Sequence, residues 1–276
     1  MLKSRRNILI LAGAILAIAV VAWWLFLRAP STPPVYAVRV VKQLPHDPQA
    51  FTEGLFFQDG IFYESTGEVG ASGVRKTKLE TGEVLLDSAL QPPYFGEGIV
   101  PWKDRLIQVT WKDKTGFVYN LKDFALRDSF SYQGEGWGMT QDGKRLILSD
   151  GTPTLRFLDP ETLKQTGTLS VTAGGCPVKY LNELEWVNGE IYANIWQTSL
   201  IAQIDPATGQ VKSFLDVSAL GPKDADPDAV ANGIAWDAAG KRLFVTGKYW
   251  PQLYQVDQGA KVDNSEAAAK IVGCGK

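Results

Sequence analysis

Short segments rich in β-branched and aromatic residues alternate with turns along most of the chain after residue 35. No long stretch of this region repeats apolar residues at the spacing of a helix. The turns carry Asp-Gly, Asn-Gly and similar pairs, which favour tight hairpins because these residues tolerate positive φ. The pattern therefore predicts an all-β fold built from hairpins.

Five of these hairpins recur at regular intervals. Their turns are marked by Gly60, Asp104, Gly143, Gly189 and Gly240, at spacings of 44, 39, 46 and 51 residues. A period of this length is typical of propeller blades, each of which contains four strands. A second set of turns, such as those in LETGEV and IDPATGQV, would connect the outer strands of each blade. We therefore predict a five-bladed β-propeller.

A β-rich segment, Tyr36–Gln43, precedes the first of these hairpins. A propeller must close its ring without leaving free sheet edges. We expect this segment to complete the last blade beside the C-terminal strands, so that residues 36–276 form a single propeller domain.

The N-terminus has a different pattern. Lys3, Arg5 and Arg6 precede an unbroken apolar run of 20 residues from Ile8 to Leu27. This run is long enough to cross a hydrocarbon core of about 30 Å as a helix. The small residues that resemble a cleavage site lie inside the run, which argues against a cleaved signal peptide. The basic residues before the run would hold that end in the cytoplasm.

We accordingly predict residues 1–7 as a cytoplasmic basic stub, 8–27 as a transmembrane anchor and 28–35 as a linker. The propeller would then lie on the periplasmic side of the membrane, attached to it through the helix. The alternative is a cleaved signal that leaves a secreted or periplasmic propeller. A closed propeller has little need of a partner chain, so we expect a monomer.

Composition limits the function classes. The chain has 45% hydrophobic and 21% charged residues, as expected of a globular protein with a sizeable core. Its formal net charge of -2 provides no basic surface excess, so no nucleic-acid partner is expected. His46 is the only histidine, which excludes a histidine-based triad, and we interpret it as a structural loop residue.

The chain has two cysteines, Cys176 and Cys274, and neither belongs to a metal-type Cys-x-x-Cys pair. In an oxidising compartment they would be able to form a disulfide that ties the last residues to the middle of the chain. Two separate buried thiols are the alternative.

Aligning the hairpins places functional residue types at one end of the strands. Residues equally far before and after a hairpin turn are neighbours in an antiparallel pair. Both sets should therefore meet at one mouth of the central channel, where Trp, carboxylate and Lys together favour a small-molecule site. The residues before the turns are Glu53, Glu97, Gly136, Asn182 and Asn232, and those after them are Gly67, Trp111, Asp150, Trp196 and Lys248.

The segments HDPQAFTEGL, YFGEGI, TWK, GEGWGM, NELEW, NIW and TGKYW resemble those of the plant and bacterial glutaminyl-peptide cyclotransferases. The resemblance runs from about Val35 to Tyr254 and keeps motif order and spacing through all five repeats. It implies a five-bladed propeller enzyme of the aminoacyltransferase class. Such an enzyme converts the N-terminal glutamine of a peptide or protein to pyroglutamate and releases ammonia.

The resemblance also implies roles for individual residues. One carboxylate can take a proton from the attacking amine and deliver one to the leaving ammonia, and Glu97 matches the family position with this role. Surrounding aromatic residues would raise its pKa by desolvation. Asn182 and Lys248 match positions that would donate to the amide oxygen. The residues expected to bind substrate are Phe51, Glu53, Phe95, Trp111, Trp137 and Trp196.

Glu53 departs from the family pattern, which commonly has Gln in the corresponding FTQGL segment. A second carboxylate near Glu97 would either bind the substrate ammonium or raise the pKa of Glu97 by like-charge repulsion. It would also be able to change the substrate preference.

Other acidic residues have simpler interpretations. Glu183 and Glu185 would alternate away from Asn182 along a strand, which favours a structural role. Asp224, Asp226 and Asp228 provide the oxygen ligands that calcium takes, but without the spacing of a known calcium loop. We interpret this segment as a solvated acidic loop and expect no required cofactor.

Two rival functions stay open from the sequence. The first is a non-catalytic envelope propeller that binds peptides or other ligands at the same mouth. The second is a quinone- or calcium-dependent propeller that oxidises sugars or cleaves lactones. The second class generally needs a denser set of cationic or metal-ligating residues than this chain carries.

Overall fold

The computed structural model describes residues 32–223, 226–262 and 266–272. The predicted stub and membrane anchor, residues 1–27, lie outside these ranges, as do residues 28–31 of the linker, Asp224 and Cys274. Cys176 is buried and disulfide-bonded, and its pairing with Cys274 stays a prediction. Within the described ranges, no helix has the length and apolarity that a membrane crossing requires.

Strands account for most of the described chain, and one short helix follows them. The elements are, in chain order, β1 (Val35–Pro45), β2 (Thr52–Gln58), β3 (Ile61–Thr66), β4 (Gly73–Lys78), β5 (Val84–Ala89), β6 (Gly96–Trp102), β7 (Arg105–Thr110), β8 (Thr115–Asn120), β9 (Leu126–Ser131), β10 (Met139–Gln141), β11 (Leu146–Leu148), β12 (Thr154–Leu158), β13 (Gln165–Ser170), β14 (Thr172–Ala173), β15 (Cys176–Pro177), β16 (Leu181–Val187), β17 (Glu190–Ile195), β18 (Leu200–Ile204), β19 (Val211–Asp216), β20 (Ala231–Asp237), β21 (Arg242–Gly247), β22 (Gln252–Val262) and α1 (Glu266–Val272).

In the described ranges these strands form an all-β, propeller-like fold of repeated antiparallel sheets. The strands β2–β5, β6–β9 and β10–β13 form three four-stranded sheets in chain order. The later strands and β1 form an eight-stranded sheet in the order β16-β17-β18-β19-β1-β22-β21-β20, and β14 pairs with β15. The strands β2, β6, β10, β16 and β20 are here called the inner strands. Consecutive inner strands contact each other, and β20 contacts β2.

The two ends of the described chain meet in the eight-stranded sheet. Strand β1 pairs antiparallel with β22, from Val35 opposite Val262 to Pro45 opposite Gln252. Its first residues also pair in parallel with β19. The prediction that Tyr36–Gln43 lies beside the C-terminal strands is confirmed.

The predicted hairpins are also present, because each inner strand pairs antiparallel with the strand that follows it. In the turn between β16 and β17, Asn188 and Gly189 have φ values of 50° and 93°. Positive φ at both central residues is typical of the two-residue turn whose twist matches that of the strands.

The core lies between neighbouring sheets rather than inside each sheet. On β7, Leu106 packs with Phe56 towards the first sheet, whereas the next residue, Ile107, packs with Met139 towards the third. Successive side chains of a strand point to opposite faces, so both faces of this sheet are buried. This explains why the strands have nearly continuous apolar runs.

A buried cluster around His46 joins the end of β1 to the first sheet. The Nε2 atom of His46 lies 3.0 Å from Oε1 of Glu64, and Nδ1 lies 2.6 Å from the carbonyl oxygen of Trp250. Arg75 lies 2.7 Å from the other Glu64 oxygen. Burial alone would raise the pKa of Glu64, but His46 and Arg75 outweigh it and hold this pKa at about 2. These contacts agree with the structural interpretation of His46.

We predict that Glu64→Gln lowers the free energy of unfolding at neutral pH by about 3–5 kcal/mol, because it leaves His46 and Arg75 buried without their carboxylate. Urea unfolding measures the difference. The contribution of Glu64 is complete above its ordinary pKa of 4.5 and disappears as the pH falls towards 2, so the two proteins should converge in acid.

The control is Glu83→Gln, which breaks an exposed ion pair with Lys78 in the same sheet. It should leave the free energy of unfolding nearly unchanged, because exposed pairs contribute little. Equal losses in the two variants at neutral pH would contradict the prediction.

Candidate active site

A β-bulge recurs near the start of the inner strands. In β2, β6, β16 and β20 two residues of the inner strand lie opposite one residue of the next strand. A bulge of this kind re-aims a side chain and often lies beside an active site. The polar residues at these bulges are Glu53, Glu97, Asn182 and Asn232.

The third repeat has the same arrangement, but at Trp137 rather than at Gly136. The amide of Trp137 donates to the carbonyl oxygen of Ser149, and the amide of Ser149 donates to that of Gly138, both at 3.0 Å. The predicted register was therefore wrong by one residue in this repeat. The reason is that the turn of this repeat, Asp142–Arg145, begins one residue closer to the bulge than the turns of the other four repeats do.

Glu53 and Lys248 form a buried ion pair at this mouth, here called the site mouth. The Nζ atom of Lys248 donates to Oε1 of Glu53 at 2.6 Å, and Asn232 donates to Oε2 at 3.0 Å. Lys248 Nζ also lies 4.2 Å from the ring centroid of Phe51. Burial raises the pKa of Glu53 even though Lys248 opposes the shift. The sequence analysis did not predict this pairing.

Glu97 is the second buried carboxyl of the site mouth. Its side chain has no hydrogen-bond partner in the described part of the chain, and the residue is only 5% exposed. Burial raises the pKa of Glu97 well above its usual value, with further increases from Glu53 and Glu135 and an opposing effect of Lys248. Such a carboxyl keeps its proton to a higher pH than an exposed glutamate does.

Aromatic rings line one side of the site mouth. Phe51 contacts Tyr249 and Phe95, with ring centroids 5.1 and 5.9 Å apart, and Phe95 contacts Trp111 at 5.6 Å. Gly67 lies under these rings, because a Cβ atom at this position would lie 2.4 Å from the ring of Phe95. The structure thus brings three of the predicted substrate-binding residues together.

A second group of rings lines the other side. Trp137 contacts Trp196 edge to face, with ring centroids 5.7 Å apart, and Trp196 contacts Tyr180 at 5.9 Å. Tyr180 was missed by the sequence analysis, and it is 50% exposed. It precedes Asn182 by two residues, as Phe51 precedes Glu53. Aligning the repeats two residues further upstream would have identified it.

Glu135 links the two groups of rings and was also missed. Its Oε2 atom accepts hydrogen bonds from the indole nitrogens of both Trp111 and Trp137, each at 2.9 Å. Glu135 lies two residues before the bulge at Trp137, so it occupies the repeat position of Phe51 and Phe95. A charged residue at a position that is aromatic in three of the other four repeats was the available signal.

Two asparagine oxygens at the site mouth lack protein partners. The Oδ1 atoms of Asn182 and Asn232 are buried without a hydrogen bond from any described residue. A buried polar atom normally has a partner. The described residues therefore leave the side chain of Asn182 only partly paired.

Glu183 does not face away from the channel, contrary to the predicted alternation. Its two oxygens accept hydrogen bonds from the backbone amides of Leu55 and Ile234 on two other inner strands, at 3.1 and 2.9 Å. The bulge at Asn182 interrupts the alternation and directs Glu183 inward. Its role is structural, as predicted, because both oxygens are occupied.

A cavity of about 480 Å³ opens at the opposite ends of the inner strands. Its lining includes Thr140, Glu185, Trp186 and Trp236, and none of the predicted site residues. Glu185 accepts hydrogen bonds there from the backbone amide of Trp236 and the hydroxyl of Thr140, and burial raises its pKa to about 8. We place the candidate active site at the site mouth, because the carboxyl without partners and the clustered indoles lie there.

No group of three or more His, Cys, Asp or Glu side chains is arranged to hold a metal ion within residues 32–223, 226–262 and 266–272. Asp226 and Asp228 belong to this part of the chain, whereas Asp224 does not. The interpretation of the acidic segment as a solvated loop stays a prediction.

A propeller-like fold with a desolvated carboxyl among indole rings defines the class of protein as an enzyme with acid–base chemistry at one mouth. A family model described as glutamine cyclotransferase matches residues 14–258, and the chain belongs to this family. The resemblance identified from the motifs is thereby confirmed.

Two relatives support this assignment. A glutaminyl-peptide cyclotransferase from Arabidopsis thaliana is 44% identical over 228 residues, which cover 79% of this chain and 70% of the relative. The crystal structure of Myxococcus xanthus glutaminyl cyclase matches with a TM-score of 0.78 at 37% identity, covering 84% of this chain and 100% of that chain.

We predict that Glu53→Gln lowers the pKa of Glu97. The substitution removes the negative charge of Glu53 and leaves the positive charge of Lys248 without its partner, and both changes favour ionised Glu97. The measurement is ¹³C NMR titration of the protein labelled at glutamate Cδ, with Glu97→Gln to assign the resonance. Glu80→Gln, in an exposed ion pair with Lys42, is the control and should not move the titration. An unchanged or raised pKa in Glu53→Gln would rule out the coupling.

Proposed function

We propose that this protein converts the N-terminal glutamine of peptides or proteins to pyroglutamate with release of ammonia, and that Glu97 moves the proton. The observation that carries the proposal is the Glu97 carboxyl, which is buried at a mouth lined with indoles and has no described hydrogen-bond partner. The printed names of the relatives, glutaminyl-peptide cyclotransferase and glutaminyl cyclase, support the reaction.

In this reaction the α-amino nitrogen attacks the side-chain amide carbon of the same residue. A C–N bond forms to close the lactam ring, and the bond to the amide nitrogen breaks to release ammonia. Because the nucleophile is tethered, the enzyme mainly has to select the folded conformer and move protons. A free α-amino group has a pKa of roughly 7.7–8.0 and must be neutral to attack.

Glu97 would take one proton from the amine during attack and return it to the leaving nitrogen. A group that performs both steps works best when its pKa lies near the working pH. Burial moves the pKa of Glu97 upwards, in the direction that this requirement needs. Because no described side chain occupies its oxygens, they are available to the substrate. These proton transfers require no cofactor.

Asn182 and Lys248 would stabilise the oxygen that becomes negative in the tetrahedral intermediate. Lys248 uses one of its three N–H bonds on Glu53, so the others are available. In Asn182 the donor would be the Nδ2 group, because the buried Oδ1 atom can only accept. Preorganised donors of this kind typically contribute on the order of 10²-fold in rate.

The predicted aromatic residues would hold the glutamine side chain between them. Phe51, Phe95 and Trp111 form one wall, and Trp137 and Trp196 form the other. Apolar walls exclude water and strengthen the electrostatic interactions inside the site.

We also propose that the propeller has five blades. The supporting observation is the cyclic contact of five inner strands, together with the addition of β1 to the sheet of β20–β22. A ring of this kind is a monomeric unit in which all five repeats contribute residues to one mouth.

The first test is Glu97→Gln, which keeps the shape of the side chain but cannot take a proton. We predict a fall in kcat of at least about 10²-fold, measured as ammonia release from a glutaminyl dipeptide. The control is Glu185→Gln at the opposite mouth, which should retain the wild-type rate. Thermal unfolding verifies that both variants are folded.

Undiminished turnover in folded Glu97→Gln would exclude it as the proton carrier. Absence of ammonia release by the wild-type protein would exclude the activity, and ligand binding at the same mouth would then be the remaining function.

We further propose that residues 8–27 anchor the propeller on the periplasmic side of a membrane. The apolar run and the preceding basic residues support this. We predict that the full chain fractionates with membranes and that protease added to the periplasmic side digests the propeller, whereas deletion of residues 1–27 makes it soluble. Recovery of a soluble propeller that lacks these residues from the full-length chain would favour signal cleavage instead.

A further inference from the structure

We propose that Glu135 is a positioning residue that holds Trp111 and Trp137 together as a fixed wall of the substrate site. The proposal rests on the proposed function, because it assigns how the walls around the bound glutamine side chain keep their geometry.

The hydrogen bonds of Glu135 provide the geometric basis. One carboxylate oxygen, Oε2, accepts from both indole nitrogens at 2.9 Å. Trp111 follows β7 of the second sheet and Trp137 precedes β10 of the third, so the carboxylate connects two sheets. The rings of these two tryptophans make no direct contact with each other in the described ranges. Glu135 therefore closes the gap between the two groups of rings.

The backbone that carries Glu135 is itself held from both sides. The guanidinium of Arg156 donates to the carbonyl oxygens of Gln133 and Glu135. The hydroxyl of Tyr132 accepts from the amide of Thr110 at 3.0 Å and donates to its carbonyl oxygen. Thr110 immediately precedes Trp111, so the loop that carries Glu135 is fixed to the strand that carries one of the indoles.

A fixed wall matters for this reaction because the bound glutamine must be folded for its amine to reach its own amide. Misplacement of a positioning group by about 1 Å can cost on the order of 10²-fold in rate. A hydrogen bond from the indole N–H to a carboxylate restricts the rotamers of a tryptophan side chain. Without this bond, a tryptophan at an open mouth can adopt several rotamers. Side chains that contact the substrate keep their geometry when supporting hydrogen bonds of this kind fix them.

Glu135 has a second effect through its charge. Burial is the main cause of the raised pKa of Glu97, and the charge of Glu53 raises it further. Lys248 lowers this pKa, and Glu135 adds a smaller increase. Loss of the Glu135 charge should therefore move the deprotonation of Glu97 to lower pH. Removal of the Glu135 oxygens should instead loosen the positions of the Trp111 and Trp137 indoles, because their N–H groups lose their acceptor. The two effects can be separated by choice of substitution.

The experiment compares Glu135→Gln with Glu135→Ala in the full chain. Gln keeps an oxygen that can accept from the indoles but lacks the charge, whereas Ala lacks both. We expect Glu135→Ala to raise KM for a glutaminyl dipeptide about tenfold and to weaken the near-ultraviolet circular dichroism of tryptophan. We expect Glu135→Gln to keep KM within about threefold of wild type. In both variants the acidic limb of the kcat/KM profile should move to lower pH.

The matched control is Glu161→Ala. Glu161 accepts a hydrogen bond from the indole nitrogen of Trp102 at 2.9 Å, so the substitution removes the same kind of bond outside the site. It should change neither KM nor the pH profile. If Glu135→Ala does not fold, Glu135→Leu replaces it, because leucine fills the space without an acceptor.

Two results would overturn the proposal. One is wild-type KM and wild-type circular dichroism in the variant without an acceptor. The other is an equal rise of KM in the Gln and Ala variants, which would assign the effect to charge rather than to positioning. An inactive wild-type protein would instead refute the proposed function, and the circular dichroism comparison would still test the role of Glu135.

Discussion

The bulge near the start of each inner strand is the constraint on which the site depends. A regular strand would direct alternate side chains into the two flanking sheet interfaces, which are filled with apolar residues. The extra residue interrupts this alternation and directs Glu53, Glu97, Trp137, Asn182 and Asn232 towards the site mouth. Because the bulge recurs in every repeat, each repeat contributes one such side chain to the site mouth.

The charged groups at the site mouth do not balance, and this imbalance favours the protonated form of Glu97. Lys248 donates a hydrogen bond to Glu53, whereas no residue in the described part of the chain donates one to Glu97. Ionised Glu97 would add a second uncompensated negative charge in a desolvated space beside Glu135. Holding a proton on Glu97 relieves this cost, so the raised pKa of Glu97 follows first from its burial and then from the negative charges of its neighbours. Substituting any of these neighbours should therefore change the protonation of Glu97.

Most elements of the fold could be predicted from the chain because they depend on local rules. Asn-Gly and Asp-Gly turns identified the hairpins, and the requirement for closed edges placed Tyr36–Gln43 beside the last strands. The third repeat was misaligned because its turn begins one residue closer to the bulge than the turns of the other repeats. Glu135 and Tyr180 were missed because the repeats were aligned two residues further along the chain, so the position that they share with Phe51 and Phe95 was not compared across the repeats.

The amino-acid order by itself determined the hairpins and their period, because turn chemistry acts over a few residues. Its motifs also indicated the family and, through that resemblance, the nine residues proposed for the site. The tertiary structure decided which of those residues touch. Three contacts depend on the packing of strands that are distant in the chain: the pairing of Lys248 with Glu53, the sharing of Glu135 by two indoles, and the bonds of Glu183 to other inner strands. The lack of a described hydrogen-bond partner for Glu97 has the same origin. Such contacts depend on how the sheets pack around the channel, and no local pattern in the chain encodes which residues of distant strands become neighbours.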